Sequence, residues 1–505
     1  MKIRKFVREV FFFVLLVLTS MAGFGQRIEV RKIASPNLIF QLGNRQLWDA
    51  LTSRTQSRQN KNARDNTKPK PSRPNIIFVL TDDHRWDALG VMGNNIIKTP
   101  NLDALAERGI LFKKAYVTTS ICCVSRASLL SGQYMSRHKI NDFSTCFSKK
   151  ALDKTYPALL KKAGYKIGFI GKFGIDSNRQ PDSLFDYWAC PKVEQPPYLV
   201  VNRSGQTIHN TDSVGKDIKQ FLYQFAGQQE PFCLSVSFKA PHESENDPPT
   251  FPYQERFASL YQNTNIPKPV TTDPKYWNSF PEFFRSDKNI GRQRWKTFFS
   301  TEEKRQETVK NYYRLITGVD EAVGNMVAQL KQLQIDRNTI IIFMGDNGFS
   351  LGEHGLEGKW FGFEESIRVP LIISGAPIPR KLVGKKTNNI ALNIDIASTI
   401  LSFAGVATPA TIQGKDLMAS FKNGATERED FFYEHTFIGS PGLPKVEGVV
   451  SKKFKYMKYI EHNYEEFYNT KRDPRETNNL IEQKSTGNNL AKFRKRYAVL
   501  KKAAK

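Results

Sequence analysis

Residues 75–83 have the sequence NIIFVLTDD, in which a continuous apolar run ends at a threonine and two aspartates. An apolar run without alternation predicts a strand that is buried on both faces of a parallel sheet. Groups that bind ligands gather at the carboxyl ends of such strands. Asp82 and Asp83 are therefore candidate ligand-binding residues, although two acids at a strand end also serve to cap a turn or a helix.

The second half of the chain repeats this arrangement. Residues 339–348 read TIIIFMGDNG, another apolar run that is followed closely by Asp346 and Asn347. The two runs thus bring three carboxylates and an amide to one edge of the predicted sheet. Hard oxygen ligands of this kind hold Ca²⁺ or, with more water, Mg²⁺. We expect Ca²⁺ at this edge.

Residues 119–132, TSICCVSRASLLSG, predict a helix that begins near Cys122. The first turn of a helix has free N–H groups and the positive end of the helix dipole, so that an anion is stabilised there. Arg126 lies one turn further on and faces the same point. The alternative is a buried pair of cysteines at the start of a core helix, because free cysteine is among the most buried residue types.

The segments between these motifs predict alternating α and β units. A helix is expected at 99–109, and strands are expected at 165–170 and 232–238. A long helix is expected at 302–333, whereas residues 245–300 are polar and aperiodic and predict an insertion over the site. The fold class is therefore α/β, with a large, mostly parallel sheet flanked by helices.

Residues 122–126 are similar to the sulfatase signature Cys-x-Pro-Ser-Arg, with Val124 at the proline position. Lys172 matches the lysine of a Gly-Lys-x-His segment that many sulfatases carry, and Gly174 stands at the histidine position. The resemblance runs from about residue 74 to residue 480. It includes the Pro-His pair at His242, just past a predicted strand, and the loop that ends at Lys359. It implies an alkaline phosphatase-like fold with a mixed, mostly parallel sheet and a smaller C-terminal antiparallel subdomain.

The resemblance also implies a role for each matched residue. The implied metal ligands are Asp82, Asp83, Asp346, Asn347 and residue 122, and the implied sulfate-contacting residues are Arg126, Lys172, His242 and Lys359. Cys122 would be oxidised to formylglycine by a maturation enzyme. An aldehyde hydrate would replace soft sulfur, a poor ligand for a hard cation, by oxygen. His242 is a candidate general acid, and His354 is a candidate substrate-binding residue.

The net charge of +26 makes a polyanion the natural partner. A sulfated polysaccharide, with 6-sulfated N-acetylglucosamine as the possible unit, fits both the charge and the resemblance, whereas the chain has no nucleic-acid-binding motif. Two alternatives remain open. One is a phosphodiesterase or phosphonate hydrolase of the same superfamily, and the other is a non-catalytic, polyanion-binding sulfatase homologue.

Residues 1–25 combine a basic start, a short apolar run and small residues, which predicts a signal peptide and a secreted or periplasmic protein without a stable membrane span. Residues 26–73 are predicted to be a basic, largely flexible linker. The catalytic domain is expected at 74–428, and the C-terminal subdomain with a basic tail at 429–505. After export, the five cysteines would tend to pair.

Overall fold

The computed structural model describes residues 73–505 except 203, 247, 440 and 441. The predicted signal peptide and nearly all of the predicted linker therefore lie outside the described residues. Among the described helices, none combines the length and the apolar character needed to cross a membrane.

The described elements alternate strongly between strand and helix in the first 400 residues. The strands are β1 Asn75–Thr81, β2 Gly109–Tyr116, β3 Lys166–Gly171, β4 Tyr187–Ala189, β5 Leu199–Val201, β6 Thr207–His209, β7 Phe232–Phe238, β8 Thr339–Gly345, β9 Ser350–Leu351, β10 Glu357–Gly358, β11 Arg368–Val369, β12 Leu371–Gly375, β13 Lys385–Leu392, β14 Asp430–His435, β15 Val446–Ser451, β16 Lys455–Tyr459 and β17 Tyr464–Tyr468. The helices are α1 Pro100–Glu107, α2 Cys122–Ser131, α3 Met135–His138, α4 Lys149–Leu152, α5 Tyr156–Lys162, α6 Asn210–Phe225, α7 Pro274–Asn278, α8 Ile290–Phe298, α9 Glu302–Gln332, α10 Glu364–Ile367, α11 Asp395–Phe403 and α12 Gly487–Ala504.

The main sheet confirms the predicted fold class. In the described part of the chain its strands lie in the order β11-β2-β12-β8-β1-β7-β3-β4, with β13 also paired to β2. The central pairs β8-β1-β7-β3-β4 are parallel, and β12 is antiparallel to both β8 and β2. The two apolar runs that define the sequence are thus neighbouring central strands, β1 and β8.

Strand β1 shows why a continuous apolar run was needed. Its side chains alternate between two separate cores, with Ile77 and Val79 in one and Ile76, Phe78 and Leu80 in the other. Helices α6 and α9 cover the first face, and α2, α5 and α11 cover the second. A strand that is covered on both faces has no solvent side, so it carries no polar alternation.

Helix α9 follows the prediction for residues 302–333 closely. The side chain of Thr301 accepts a hydrogen bond from the Lys304 N–H, and Glu302 and Glu303 occupy the first turn, which suits the positive end of the helix dipole. Its buried face includes Tyr312, whose hydroxyl donates to the backbone oxygen of Asp83 at 2.6 Å. The longest helix therefore supports the turn that follows β1.

The C-terminal region forms the expected antiparallel sheet, in the order β14-β15-β16-β17. Helix α12, in the region predicted as a basic tail, packs on it through Leu490, Phe493 and Tyr497. A third core joins this sheet to the start of α2, because Tyr433 and Met457 share a cluster with Cys122.

The cysteines differ from the expectation of pairing. Within the described residues, all five are free thiols. Two of the buried ones, Cys122 and Cys123, belong to the core beside the C-terminal sheet, and Cys233 belongs to a different core. Cys233 therefore lies in a different core from the other two buried cysteines.

Candidate active site

Strand register brings the predicted acidic residues together. Thr81 at the end of β1 pairs with Gly345 at the end of β8, so the next residues, Asp82 and Asp346, lie side by side. The Asp346 N–H donates to the Thr81 carbonyl at 2.9 Å and thereby extends the ladder by one step. The prediction that two distant strands deliver their polar ends to one edge is therefore confirmed.

The four oxygen-bearing residues form a compact, buried group. The Asp83 N–H donates to Asp346 Oδ1 at 3.1 Å, and the Asn347 amide donates to Asp83 Oδ1 at 2.5 Å. Asp82, Asp83, Asp346 and Asn347 are each at most 1% exposed. Asp83 has a φ of 61°, a left-handed turn that places its carboxylate over the strand end.

Three oxygens of this group lack a protein partner. Among the described residues, Asp82 Oδ1, Asp83 Oδ2 and Asn347 Oδ1 are buried and accept no hydrogen bond. A buried oxygen without a donor is costly, and a hard divalent cation satisfies several at once. Asp82, Asp83 and His242 also offer ligand atoms within 4.8 Å of one another, although imidazole suits Ca²⁺ less well than oxygen does. The residues present therefore fit a calcium-type cation.

Each carboxylate of the group is paired with at least one cation, and Asp82 is paired with two, because Arg126 Nη2 also lies 3.6 Å from Asp82 Oδ2. Lys172 is bonded to Asp82, Lys359 Nζ lies 2.6 Å from Asp83 Oδ1, and Arg126 Nε lies 2.8 Å from Asp346 Oδ2. All three cations are buried, with exposures between 1% and 6%. Such pairs hold their partners firmly, because removing one member leaves an uncompensated buried charge.

Cys122 lies at the start of α2, as predicted, and is 2% exposed. Burial raises the pKa of its thiol to about 11, and the nearby Lys172 and Lys359 only partly oppose this rise. At neutral pH the unmodified side chain is therefore a protonated thiol, which is neither a good nucleophile nor a good ligand. One turn further on, Arg126 also donates to the Lys172 carbonyl and to Ser237 Oγ, both at 2.6 Å.

Burial also acts on the carboxylates. It raises the pKa of Asp83 to about 8, with Lys359 opposing and Asp82 adding to the rise, and it raises the pKa of Asp346 to about 6. For Asp82 burial acts in the same direction, but Lys172, His242 and the other cations lower its pKa below the usual range. A further positive charge beside the three carboxylates would therefore stabilise their ionised forms.

Gln195 is a site residue that sequence reasoning missed. Its Oε1 accepts from Lys172 Nζ at 2.9 Å, and its Nε2 lies 3.2 Å from His242 Nε2. His242 Nδ1 lies 2.8 Å from the Glu243 carbonyl, which only accepts, so the ring proton is on Nδ1. Gln195 comes from a loop of Pro, Glu and Gln residues, whose sequence carries no periodic or motif signal.

Arg294 is the second residue missed. It comes from α8, inside the predicted insertion 245–300, and it bridges two buried carboxylates, Glu243 and Glu357. The insertion therefore does reach the site. A single arginine in a polar, aperiodic segment has no sequence feature that marks it as buried.

These groups surround a cavity of about 170 Å³. It is lined by Asp83, Ile121, Cys122, Phe143, Glu194, Gln195, His242, Glu243, Glu245, Ile290, Arg294, Phe349, Lys359 and Trp360. Cys122, His242 and Lys359, three of the residues predicted from the sequence, thus face one space that is large enough for a small anionic group.

His354 lies elsewhere. Its ring stacks on Phe363, with ring centroids 4.4 Å apart, and it packs near Phe280 in the aromatic core. His354 is not one of the described residues that line the cavity. The backbone of His354 has a φ of 56° in a tight turn. This conformation goes with a ring that points away from Lys359.

Gly174 also has a geometric explanation. Its φ is +71°, and a Cβ there would lie 2.8 Å from Arg126 Cδ and 3.4 Å from Lys172 Cε. The side chain of Arg126 therefore fills the space that a residue at position 174 would need. Val124 is fully buried in the first turn of α2.

Comparison with known proteins agrees with this geometry. The family model described as Sulfatase matches residues 74–406, and the model described as N-sulphoglucosamine sulphohydrolase, C-terminal, matches residues 352–503. The first match spans the acidic cluster, its three cations and Cys122. The chain belongs to the sulfatase family and is a sulfuric ester hydrolase.

Among curated relatives, an N-acetylglucosamine-6-O-sulfatase of Bacteroides thetaiotaomicron is 27% identical over 456 residues, which cover 77% of this chain and 79% of the relative. An arylsulfatase of Clostridium perfringens is 27% identical over 438 residues, covering 78% and 87%. A solved structure of a protein in complex with its substrate D-glucosamine-2-N,6-O-disulfate is 25% identical, with a TM-score of 0.70 and coverage of 86% and 98%.

A phosphonate monoester hydrolase of Agrobacterium radiobacter also shares the fold. It has a TM-score of 0.71 at 20% identity and covers 86% of this chain and 96% of that chain. At this identity the likeness concerns the fold alone.

Proposed function

We propose that this protein is an exported, formylglycine-dependent sulfatase that hydrolyses a sulfate ester of a sulfated glycan, with a 6-sulfated glucosamine such as 6-sulfated N-acetylglucosamine as the candidate unit. The glycan assignment is supported by the relative named as an N-acetylglucosamine-6-O-sulfatase and by the complex of a related fold with a sulfated glucosamine. An ulvan-active sulfatase of Formosa agariphila, 28% identical over 417 residues, is a further relative that is named for a sulfated polysaccharide.

The observation that carries the proposal is the balance of charge beside Cys122. Three buried carboxylates are paired with three buried cations, while three further oxygens in the same group have no partner among the described residues. A divalent cation on those oxygens would leave the group with two excess positive charges. That excess favours an anionic sulfate group in the adjoining cavity.

The candidate ligands of the cation are Asp82, Asp83, Asp346 and Asn347, together with an oxygen at position 122. When bound, the cation would polarise the group at position 122 and offset charge on the substrate. Formylglycine at position 122 would supply the nucleophilic hydroxyl. Ca²⁺ is the expected ion, because the donors are oxygens of carboxylates and an amide.

The roles of the chain's own residues follow from their contacts. Lys172 and Lys359 would turn from the carboxylates to the sulfate oxygens once a cation takes over Asp82 and Asp83, whereas Arg126 keeps Asp346 in place through a 2.8 Å ion pair. In the free protein, burial lowers the pKa of His242 to about 3, so its ring is neutral and Nε2 carries no proton. A bound anionic ester favours protonation of that ring. Once Nε2 has taken up a proton from solvent, His242 can deliver that proton to the leaving oxygen.

The test combines mass spectrometry with a substrate panel. Conversion of Cys122 replaces sulfur by oxygen and removes two hydrogens, so the peptide that contains it becomes lighter. We expect this lighter peptide after co-expression with a formylglycine-generating enzyme, together with hydrolysis of sulfate esters. Cys122→Ala should abolish both results, and Cys146→Ala, at a partly exposed cysteine, should preserve both. An unmodified thiol throughout would favour a polyanion-binding protein, and faster hydrolysis of phosphonate or phosphate diesters would favour the other hydrolase class.

Export rests on residues 1–25 and on relatives that are named as extracellular sulfatases, such as a SULF-1 homologue of Drosophila melanogaster that is 29% identical over 336 residues. N-terminal sequencing of the protein recovered from the periplasm or the medium tests it. The proposal expects a mature chain that begins near Gln26.

A further inference from the structure

The mouth of the cavity is acidic, although the protein as a whole is strongly basic. Of the residues that line the cavity, Cys122, His242 and Lys359 are buried, whereas Glu194 and Glu245 are exposed. The two glutamates therefore mark the outer end. Two carboxylates at this opening are an exception in a protein whose net charge is +26.

Neither glutamate is neutralised by a close partner. In the described part of the chain, Glu194 and Glu245 form no ion pair within 4 Å. Partial burial raises the pKa of Glu194, Lys172 and Lys359 lower it, and Glu245 adds to the rise. Their arrangement stabilises a hydrogen-bond donor or a positive charge between them.

A third carboxylate gives independent evidence for a ligand. Glu243 is 2% exposed and lines the same cavity, and its Oε1 is bonded to Arg294. Its Oε2 has no hydrogen-bond partner within the described residues. His242 Nδ1 lies 3.5 Å from that oxygen, but its proton is directed to the Glu243 carbonyl at 2.8 Å. A buried acceptor without a donor, on a side chain that lines a cavity, is a candidate to accept a hydrogen bond from a ligand.

We infer that Glu194, Glu243 and Glu245 form a donor-binding rim, which selects the part of the substrate outside the sulfate. This inference rests on the proposed function. The rim accepts hydrogen bonds from hydroxyl or ammonium groups of the sugar and repels a second anionic group beside the scissile ester. The substrate class is therefore a singly sulfated sugar unit whose neighbouring substituent is neutral or cationic.

This class differs from the one that total charge alone indicates. The excess of positive charge attracts a polyanion to the protein, but the two exposed carboxylates, Glu194 and Glu245, disfavour a second sulfate at the mouth of the cavity. Deeper in the site, Lys359 lines the cavity, and Lys172 is bonded to Asp82 and to Gln195. The rim therefore selects substrates by the charge of the neighbouring substituent. This selection acts after the positive charge of the protein has attracted the polysaccharide.

The experiment compares three ligands that share a 6-sulfate: glucosamine 6-sulfate, N-acetylglucosamine 6-sulfate and glucosamine 2-N,6-O-disulfate. Each is measured as a substrate and as a competitor of aryl sulfate hydrolysis, so that a ranking is obtained whichever ester is cleaved. Affinity should fall in that order. We expect steps of about threefold to tenfold, as for partly exposed charges in water, and smaller steps at high salt.

The double variant Glu194→Gln/Glu245→Gln should compress this ranking and improve binding of the disulfated ligand. The control Glu255→Gln/Glu482→Gln removes the same charge at two exposed positions away from the cavity and should leave the ranking unchanged. Equal or tighter binding of the disulfated ligand by the wild type, or an unchanged ranking in the rim variant, would overturn the inference while leaving the sulfatase assignment intact. Failure to hydrolyse any of these esters, the aryl sulfate included, would overturn the proposed function and the inference with it.

Discussion

The backbone N–H of Asp83 donates to the Oδ1 oxygen of Asp346 at 3.1 Å, although 263 positions separate the two residues in the chain. The bond exists because β1 and β8 are adjacent and parallel and end at the same level. It joins the two halves of the acidic group and leaves Asp83 Oδ2 without a hydrogen-bond partner among the described residues. The pairing of β1 and β8 therefore brings the candidate cation ligands together.

The first prediction concerns stability and calcium. If Asp83 is a ligand, Asp83→Asn should lose most of the rise in melting temperature that Ca²⁺ gives to the wild type. A cation at one hundred times its dissociation constant stabilises the folded state by about 2.7 kcal/mol. Thermal unfolding with Ca²⁺ and with a chelator measures this effect. Asp287→Asn, at a side chain that is 95% exposed, should keep the full response. A full calcium response in Asp83→Asn would remove this residue from the ligand set.

The second prediction links the cation to the anion. Lys172 and Lys359 are held by Asp82 and Asp83 in the free protein. Binding of Ca²⁺ should release them, so inorganic sulfate, the product, should bind at least tenfold more tightly with Ca²⁺ than without, a coupling of about 1.4 kcal/mol. Isothermal titration calorimetry measures both affinities. The coupling is reciprocal, so sulfate should tighten Ca²⁺ binding by the same factor. Independent binding of the two ions would argue against this exchange of partners.

The third prediction concerns Gly174. An alanine there would combine a φ of +71° with a Cβ only 2.8 Å from Arg126 Cδ, so it should displace the arginine from Asp346 and Ser237. We expect a loss of about 2 kcal/mol or more in the free energy of unfolding and a strong loss of kcat/KM. Gly424→Ala is the matched control, because Gly424 has a φ of +75° and nothing within 4 Å of the added Cβ. It should lose about 1 kcal/mol and retain activity. Equal effects at the two positions would contradict the role given to Arg126.

The fourth prediction concerns pH and lies outside the site. Glu434 in β14 is 2% exposed and faces Glu447 across the ladder. Burial raises its pKa from 4.5 to about 7, with the Ser136 N–H and Lys139 opposing and Glu447 adding to the rise. Between these values the folded protein keeps a proton that the unfolded chain releases, so the free energy of unfolding falls as pH rises.

Glu434→Gln removes this titration and keeps an acceptor for the Ser136 N–H, which lies 2.9 Å from Oε1. We expect the variant to be about 2 to 3 kcal/mol more stable than the wild type at pH 8, and less so at pH 5. Denaturant unfolding at both pH values measures the difference. Glu429→Gln, at a side chain that is 73% exposed, should show no such trend. A variant that is destabilised equally at both pH values would show that Glu434 is held ionised.

Much of this architecture was predictable from the sequence. The apolar runs at 75–80 and 339–344 are strands because both faces of the sheet are covered, and Gly345 and the acids mark their ends. Helix α9 has its capping residue, Thr301, and its periodic pattern of apolar residues in one continuous segment of the sequence. Local signals of this kind are sufficient when packing agrees with them.

Other features depend on contacts that the sequence does not encode locally. Gln195 and Arg294 act through partners 23 to 63 positions away, and neither belongs to a motif. His354 is predicted to bind substrate, but its ring stacks on Phe363 from a left-handed turn. Helix α12 lies in the segment predicted as a basic tail, where Leu490, Phe493 and Tyr497 stand among many lysines and arginines.

The most direct test of the account is a crystal structure of the mature protein grown with Ca²⁺, in which anomalous scattering locates the ion. The account predicts one peak, at about 2.3–2.6 Å from Asp82 Oδ1, Asp83 Oδ2 and Asn347 Oδ1 and beside residue 122, with Lys172 and Lys359 turned towards the cavity. No peak at saturating Ca²⁺, with both lysines still bonded to the two aspartates, would contradict it.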